Sequence, residues 1–185
     1  MELQEWIDGV FKETETDYTI NDVIILYKSE RECLPMGVKH LCDKLNPESV
    51  LEIGFGKGWT ATQFQKHGIK HHTILEPNKI VYENALKWKG KYDTDIRILN
   101  MFSWDYSLDR DYDLVYDDRM IFKNIQEARH EKHLKDILPK RQWIASMASK
   151  CANKKISGYP IFYKIDDIHY VQPLEKFGEY KPCQQ

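Results

Sequence analysis

Three glycines in five residues, Gly54, Gly56 and Gly58, stand directly behind the apolar run "SVLEI". The chain has only nine glycines in 185 residues, so this spacing has a local cause. Glycine lacks Cβ, which lets a chain turn tightly out of a strand and lets a ligand approach its backbone. The continuation "KGWTATQFQKHG" reads as a helix with Gly68 just past its last turn, the usual place for a left-handed terminator. Strand, glycine turn and helix together open a βαβ unit, which restricts the chain to a small group of α/β folds.

The rest of the chain keeps that rhythm. "HHTILEP", "DIRILNM", "YDLVYDD" and "QWIASMAS" read as four further strands. Between them, "NKIVYENALKWKG" reads as a helix with Asn78 as N-cap and Gly90 as stop, and "FKNIQEARHEKHLKDILP" as a longer helix halted by Pro139. Alternation of this kind predicts an α/β fold, Rossmann-like, with a mostly parallel doubly wound sheet and helices on both faces. "YPIFYKI" and "HYVQPL" lie too close together for a helical crossover and predict a C-terminal antiparallel hairpin at the sheet edge. "KCANKKISG" leaves no room for a full helix, so one crossover is missing or replaced. Before the core, Leu3, Trp6, Ile7, Val10 and Phe11 fall at helical spacing and predict an amphipathic helix over 2–13. Leu34, Val38, Leu41, Cys42 and Leu45 predict a second, closed by "NPES". The expected organisation is a single domain over 1–185, with an N-terminal helical cap over 1–46 and a Rossmann-like core over 47–185.

Composition narrows the function. Lys and Arg total 27 against 29 Asp and Glu, a formal net charge of −2, so no concentrated positive field favours nucleic acid or an anionic membrane. Cys33, Cys42, Cys151 and Cys183 are scattered without a CxxC pair, which fits a reducing cytoplasm better than a disulfide framework or a zinc site. The N-terminus carries acids where a signal peptide needs bases, and no apolar run approaches a membrane span. The expectation is a cytoplasmic protein acting on a small molecule, with no nucleic-acid or membrane partner.

In an open parallel sheet, ligands bind beyond the carboxyl ends of the strands where strand order reverses. The loops after the first, second and fourth core strands therefore matter most. The first reads Glu52-Ile-Gly54-Phe-Gly56-Lys-Gly58. Its GxGxG spacing differs from the GxGxxG of pyrophosphate sites and suits a nucleoside whose carboxylate and ammonium groups need partners. Glu76 closes the second strand, eighteen residues after Gly58. A carboxylate there can accept hydrogen bonds from both ribose hydroxyls.

"LEIGFGKG", "TILEPN" and "YDLVYDD", in this order, resemble the class I S-adenosylmethionine-dependent methyltransferases. More narrowly they are similar to the guanidinoacetate methyltransferase group, which the "YENALKW" helix with Trp88 also fits. The resemblance covers about residues 49–118. It implies that S-adenosylmethionine is the cofactor, with Gly54, Gly56 and Gly58 along its methionine moiety, Glu52 beneath the loop and Glu76 on the ribose. Many relatives place an acid after the third strand to bind adenine. Here the segment is "LNMFSWD", so adenine recognition would fall to Asn100, to backbone groups at Met101 and Phe102, and to apolar packing. Trp104 reads as core or as a stacking platform.

The third loop, "YDDR" over 116–119, should lie beside the methyl acceptor. Paired carboxylates suit an acceptor nitrogen because they can orient a guanidinium or amine and accept its proton. Asp117 and Asp118 are the candidate catalytic residues. The resembling family has "YDTYP" here; Tyr116 and Asp117 match, and Asp118, Arg119 and Met120 depart. Arg119 reads either as a grip for an acidic substrate group or as a partner of Asp118, and both acids can also be read as caps of the following helix. His67, His71 and His72 straddle a helix end and a strand start, and His130 and His133 share a helical face without carboxylate support, so no metal site is expected. The function so read is transfer of a methyl group to a guanidino or amino nitrogen of a small molecule. The rival readings are other chemistry on the same cofactor, either cleavage or aminopropyl transfer, and a non-catalytic cofactor-binding regulator.

Overall fold

The computed structural model describes residues 2–28, 30–118, 143–149, 158–164 and 167–171. The chain opens with a short helix, α1 (Leu3–Ile7), whose first turn is closed by the Glu2 N–H donating to the Glu5 carboxylate at 2.9 Å. The helix predicted over 2–13 therefore ends early, and Gly9 is the reason. A Cβ on Gly9 would lie 2.4 Å from Cγ2 of Ile20 and 2.7 Å from the Glu5 carbonyl oxygen, so the backbone passes where only glycine fits. Phe11 then begins a strand instead of completing an apolar stripe, and Val10 is left exposed. Strands β1 (Phe11–Glu13), β2 (Asp17–Ile20) and β3 (Val23–Tyr27) form an antiparallel meander. Its second turn is made by Asn21 (φ 48°) and Asp22 (φ 62°), a two-residue hairpin with both residues left-handed, as the twist of the flanking strands requires. The N-terminal cap is thus mixed and not helical throughout. Helix α2 (Glu30–Leu45) follows as expected, burying Leu34, Val38, Leu41 and Cys42.

The core then runs β4 (Ser49–Ile53), α3 (Trp59–His67), β5 (His71–Leu75), α4 (Lys79–Lys89), β6 (Asp95–Leu99), β7 (Leu114–Asp117) and β8 (Trp143–Ser149). The caps foreseen in the sequence are present. Gly68 ends α3 at φ 92°, and Oδ1 of Asn78 accepts the Val81 N–H at 3.0 Å to start α4. The sheet order is β10 (Asp167–Val171), β9 (Gly158–Lys164), β8, β7, β4, β5, β6, with β6, β5, β4, β7 and β8 mutually parallel. The chain enters at β4, runs outward to β6, and returns on the other side of β4 as β7. That reversal opens the crevice at the carboxyl ends of β4 and β7. Strands β9 (Gly158–Lys164) and β10 (Asp167–Val171) add the antiparallel hairpin at the edge.

Strand parity divides the core. Val50, Ile74, Ile98, Leu114 and Tyr116 face α2, α3 and α4, where they pack against residues such as Val38, Phe64 and Trp88. Leu51, Ile53, Leu75 and Val115 face the opposite way, onto Tyr106 and Tyr112. Each such large apolar side chain, once fully buried, contributes about 1.5–3 kcal/mol. The longer helix predicted over 122–139, together with Arg119, Met120, His130 and His133, lies outside the described residues. Among the described residues, no helix is long and apolar enough to cross a membrane.

Candidate active site

The loop between β4 and α3 owes its shape to backbone conformations open to glycine. Gly54, Gly56 and Gly58 have φ of 92°, 55° and 69°, all in the left-handed region. Space is as restrictive as φ at Gly58, where a Cβ would lie 2.5 Å from the Phe55 ring. The Gly54 N–H donates to the Leu75 carbonyl at 2.9 Å, which ties the loop to the end of β5.

Beneath the loop, Glu52 is fully buried. One carboxylate oxygen takes a hydrogen bond from the Thr60 hydroxyl and the other lies 2.8 Å from Nε2 of His72. His72 is itself held by Gln65 at 3.1 Å through Nδ1. Glu52 thus fastens the start of α3 to the sheet below the loop. The sequence offers His72 only among neighbouring histidines, with nothing local that points to Glu52. Parallel register places it opposite Val50, on the same face as Glu52, while exposed His71 pairs with Asp95 at 2.8 Å.

Glu76 lies at the end of β5 with 5 % of its surface exposed. Its carboxylate accepts the Phe55 N–H at 3.0 Å and the Asn78 N–H at 2.9 Å. Burial pushes its pKa up to about 7, against the opposing pull of the Phe55, Asn78 and Gly56 backbone N–H groups. Asn100 uses its side-chain amide to bind the Glu76 and Pro77 carbonyls, both at 2.9 Å, so it fixes the turn that carries Glu76. Phe102 is buried and stacked on Trp104 at 4.5 Å.

These elements bound an open cleft of about 560 Å³ lined by Gly54, Gly56, Glu76, Pro77, Met101 and Asp118, among others. Trp6 and Ile20 of the N-terminal cap close it from the front. Asn78 holds that cap in place: its amide nitrogen donates to the Trp6 carbonyl at 2.8 Å and the Gly9 carbonyl at 2.9 Å.

Asp117 ends β7 and Asp118 follows it. Asp117 is in register with Ile53 and is buried at the strand end. Asp118 donates its N–H to the Ile53 carbonyl at 2.9 Å and lines both the first cleft and a second one beside it. Burial raises the Asp118 carboxyl well above the usual carboxylate range, and the charges of Glu30, Glu52 and Asp117 raise it further. Glu30 is a buried acid that the sequence reading passed over; its carboxylate also accepts the Tyr27 N–H at 2.8 Å. Its only sequence signal is an acid in the first turn of a predicted helix. Among the described residues, no group of three or more His, Cys, Asp or Glu is arranged to hold a metal ion.

Fold, glycine loop and strand-end glutamate together define the class I S-adenosylmethionine-dependent methyltransferases. Residues 11–109 match the sequence model of guanidinoacetate N-methyltransferase, and the chain belongs to that family. Among solved structures, the N-methyltransferase NodS from Bradyrhizobium japonicum in complex with S-adenosyl-L-homocysteine superposes with a TM-score of 0.54 at 14% identity, over 64% of this chain and 61% of that one. The S-adenosylhomocysteine-bound methyltransferase PaMTH1 from Podospora anserina gives 0.51 at 16% identity, over 60% and 50% of the two chains. The plantazolicin methyltransferase BpumL, also in complex with S-adenosylhomocysteine, gives 0.51 at 16% identity over 64% and 49%. The described fold thus spans about three fifths of the NodS chain and half of the others. No curated protein matches this chain in sequence.

Proposed function

We propose that this protein transfers the methyl group of S-adenosylmethionine to an amino or guanidino nitrogen of a small molecule. The observation that carries the reading is the meeting of two clefts at Gly56 and Asp118, one bounded by Gly54, Gly56 and Glu76, the other by Asp118, Thr60 and apolar side chains. The residues of the first cleft fit the cofactor. Its glycines leave the room that side chains would fill, and Glu76 offers a buried carboxylate for ribose hydroxyls. When bound there, S-adenosylmethionine supplies an electrophilic methyl group; the new C–N bond forms as the C–S bond breaks, leaving S-adenosylhomocysteine.

The chain's own residues would then do three things. Gly54, Gly56 and Gly58 hold the donor's amino-acid end against the loop backbone, with Glu52 supporting the loop from below. Glu76 orients the ribose, while Met101 and Phe102 supply apolar packing for adenine at the end of β6, with Asn100 holding the turn. Asp118 takes the acceptor's proton. Its place where the two clefts meet suits it to that role once it is ionised. Positioning the two ligands in one line is the larger part of catalysis in such a displacement. Asp117 supports the Asp118 loop from the opposite face.

Calorimetric titration with S-adenosylhomocysteine, followed by labelled methyl transfer to an amine and guanidine panel, tests the proposal. Saturable binding and label on an acceptor nitrogen are expected, and Asp118→Asn should lower turnover more than cofactor affinity. Breakdown of the cofactor without an acceptor, or binding without turnover, would replace this reading with a different reaction or with a regulatory role.

A further inference from the structure

His72, buried near the start of β5, lines neither cleft, yet a chain of contacts runs from it to the glycine loop. Its Nε2 lies 2.8 Å from one Glu52 carboxylate oxygen, and the other oxygen accepts from the Thr60 hydroxyl at 2.5 Å. Thr60 stands in the first turn of α3, just past Gly58, and lines the second cleft. The imidazole is held on its far side as well. The Thr94 hydroxyl donates to Oε1 of Gln65 at 2.7 Å, which turns the Gln65 amide nitrogen toward Nδ1 at 3.1 Å. Nδ1 therefore accepts, and Nε2 carries the proton that goes to Glu52. Phe64 and Trp88 meet the ring edge to face, with centroids 5.5 and 6.3 Å away. Trp88 in turn packs on Phe55 of the loop at 5.4 Å, and its indole N–H donates to the Thr62 hydroxyl at 2.9 Å.

We infer that His72 is a positioning residue for methyl-donor binding, acting through Glu52 and Thr60 on the glycine loop and the first turn of α3. The inference rests on the donor site proposed above and adds a residue that stands behind it. A glutamate side chain with one partner has several staggered rotamers open to it. Partners on both carboxylate oxygens hold Glu52 in one of them, and Thr60 with it. The loop backbone is then aimed before a ligand arrives, so ordering it does not subtract from the binding free energy. Remove the Nε2 donor and Glu52 is anchored at one end only, while the packing of Phe64 and Trp88 around the site can remain.

The test measures S-adenosylhomocysteine affinity by calorimetry in the full chain and its variants, with circular dichroism to report that each is folded. His72→Asn should weaken binding by about fivefold or more, because its amide is too short to stand where Nε2 stands. His72→Gln brings an amide donor to that point and should return to within about twofold of the parent. Tyr112→Phe loses the 2.7 Å hydrogen bond to Thr73 on the other face of the sheet and is the control for general loosening; its affinity should not change. Equal losses in the Asn and Gln variants, or an equal loss in Tyr112→Phe, overturn the inference. Gly56→Ala tests the donor site separately, since φ of 55° disfavours a side chain there. Weakened binding in Gly56→Ala with no change in either His72 variant overturns this inference alone, whereas no change at Gly56 removes the donor site and the inference with it. Nitrogen-15 NMR of the imidazole gives a readout that holds even where His72→Asn does not fold. A proton on Nε2 is expected, and a bare Nε2 overturns the inference.

Discussion

Glu76 has one role in the structure and a second in the proposed site. In the ligand-free protein its carboxylate caps the glycine loop through the Phe55 and Asn78 N–H groups, while burial holds its pKa near 7. Below the ordinary glutamate pKa of 4.5 the group is neutral in folded and unfolded chains alike. As pH rises through 4.5 the unfolded chain ionises first, so the folded state loses stability until pH passes about 7. The loss approaches about 3 kcal/mol. Urea denaturation from pH 4.5 to 8 should therefore show a decline that Glu76→Gln flattens. The same variant should bind S-adenosylhomocysteine more weakly at pH 8, by about 1–3 kcal/mol, because a neutral amide accepts ribose hydroxyls less strongly than a carboxylate. A pH profile unchanged by the substitution would show that Glu76 titrates normally. The glycines and Glu76 were legible in the sequence because their roles follow from local position at strand ends. Glu30 and His72 were not, because their partners lie 88 and 20 residues away, at Asp118 and Glu52, and only sheet register and packing bring them together.

Among the elements, the junction of α4 with the N-terminal cap depends on one amide. Oδ1 of Asn78 caps α4 and its nitrogen holds the Trp6 and Gly9 carbonyls. Asn78→Ala should cost about 2–3 kcal/mol, from one lost cap and two lost hydrogen bonds. Asn78→Asp keeps the cap acceptor but not the donor, and should recover only about 1 kcal/mol of that loss in urea denaturation. Full recovery would mean that the carbonyl contacts carry no weight. The capping half of this arrangement could be read directly from "EPNKIV". The other half could not, since nothing local to Asn78 reports that residues 6 and 9 return to it. The meander is a different case. Its "IND" turn sits between β-branched Ile20 and Val23, a local hairpin signal, whereas the helical spacing of Val10 and Phe11 is accidental.

Across the whole molecule, the sheet and the N-terminal cap have unequal duties. Strands β4 and β5 are buried on both faces, whereas the meander contributes Ile20 and Ile25 to the first cleft. Amide exchange across 20–25 should therefore proceed by local opening and slow when S-adenosylhomocysteine binds. Exchange there that ignores the ligand would separate the meander from the donor site. The alternation of strands and helices made the parallel core and its edge hairpin legible, because each unit follows from its own periodicity. Which cap residues reach the cleft, Trp6 and Ile20 among them, depends on long-range packing that local periodicity does not report.

Gly56, Asp118 and Ile25 line both clefts, so the donor and acceptor sites proposed here would share a wall. Whatever one occupant does to that wall alters the fit of the other, and by linkage the factor is the same in both directions. Such a protein reads its two ligands jointly: a poor acceptor loosens the donor as well as failing to react. Selectivity would then appear in how long the pair stays together, before any bond is made or broken.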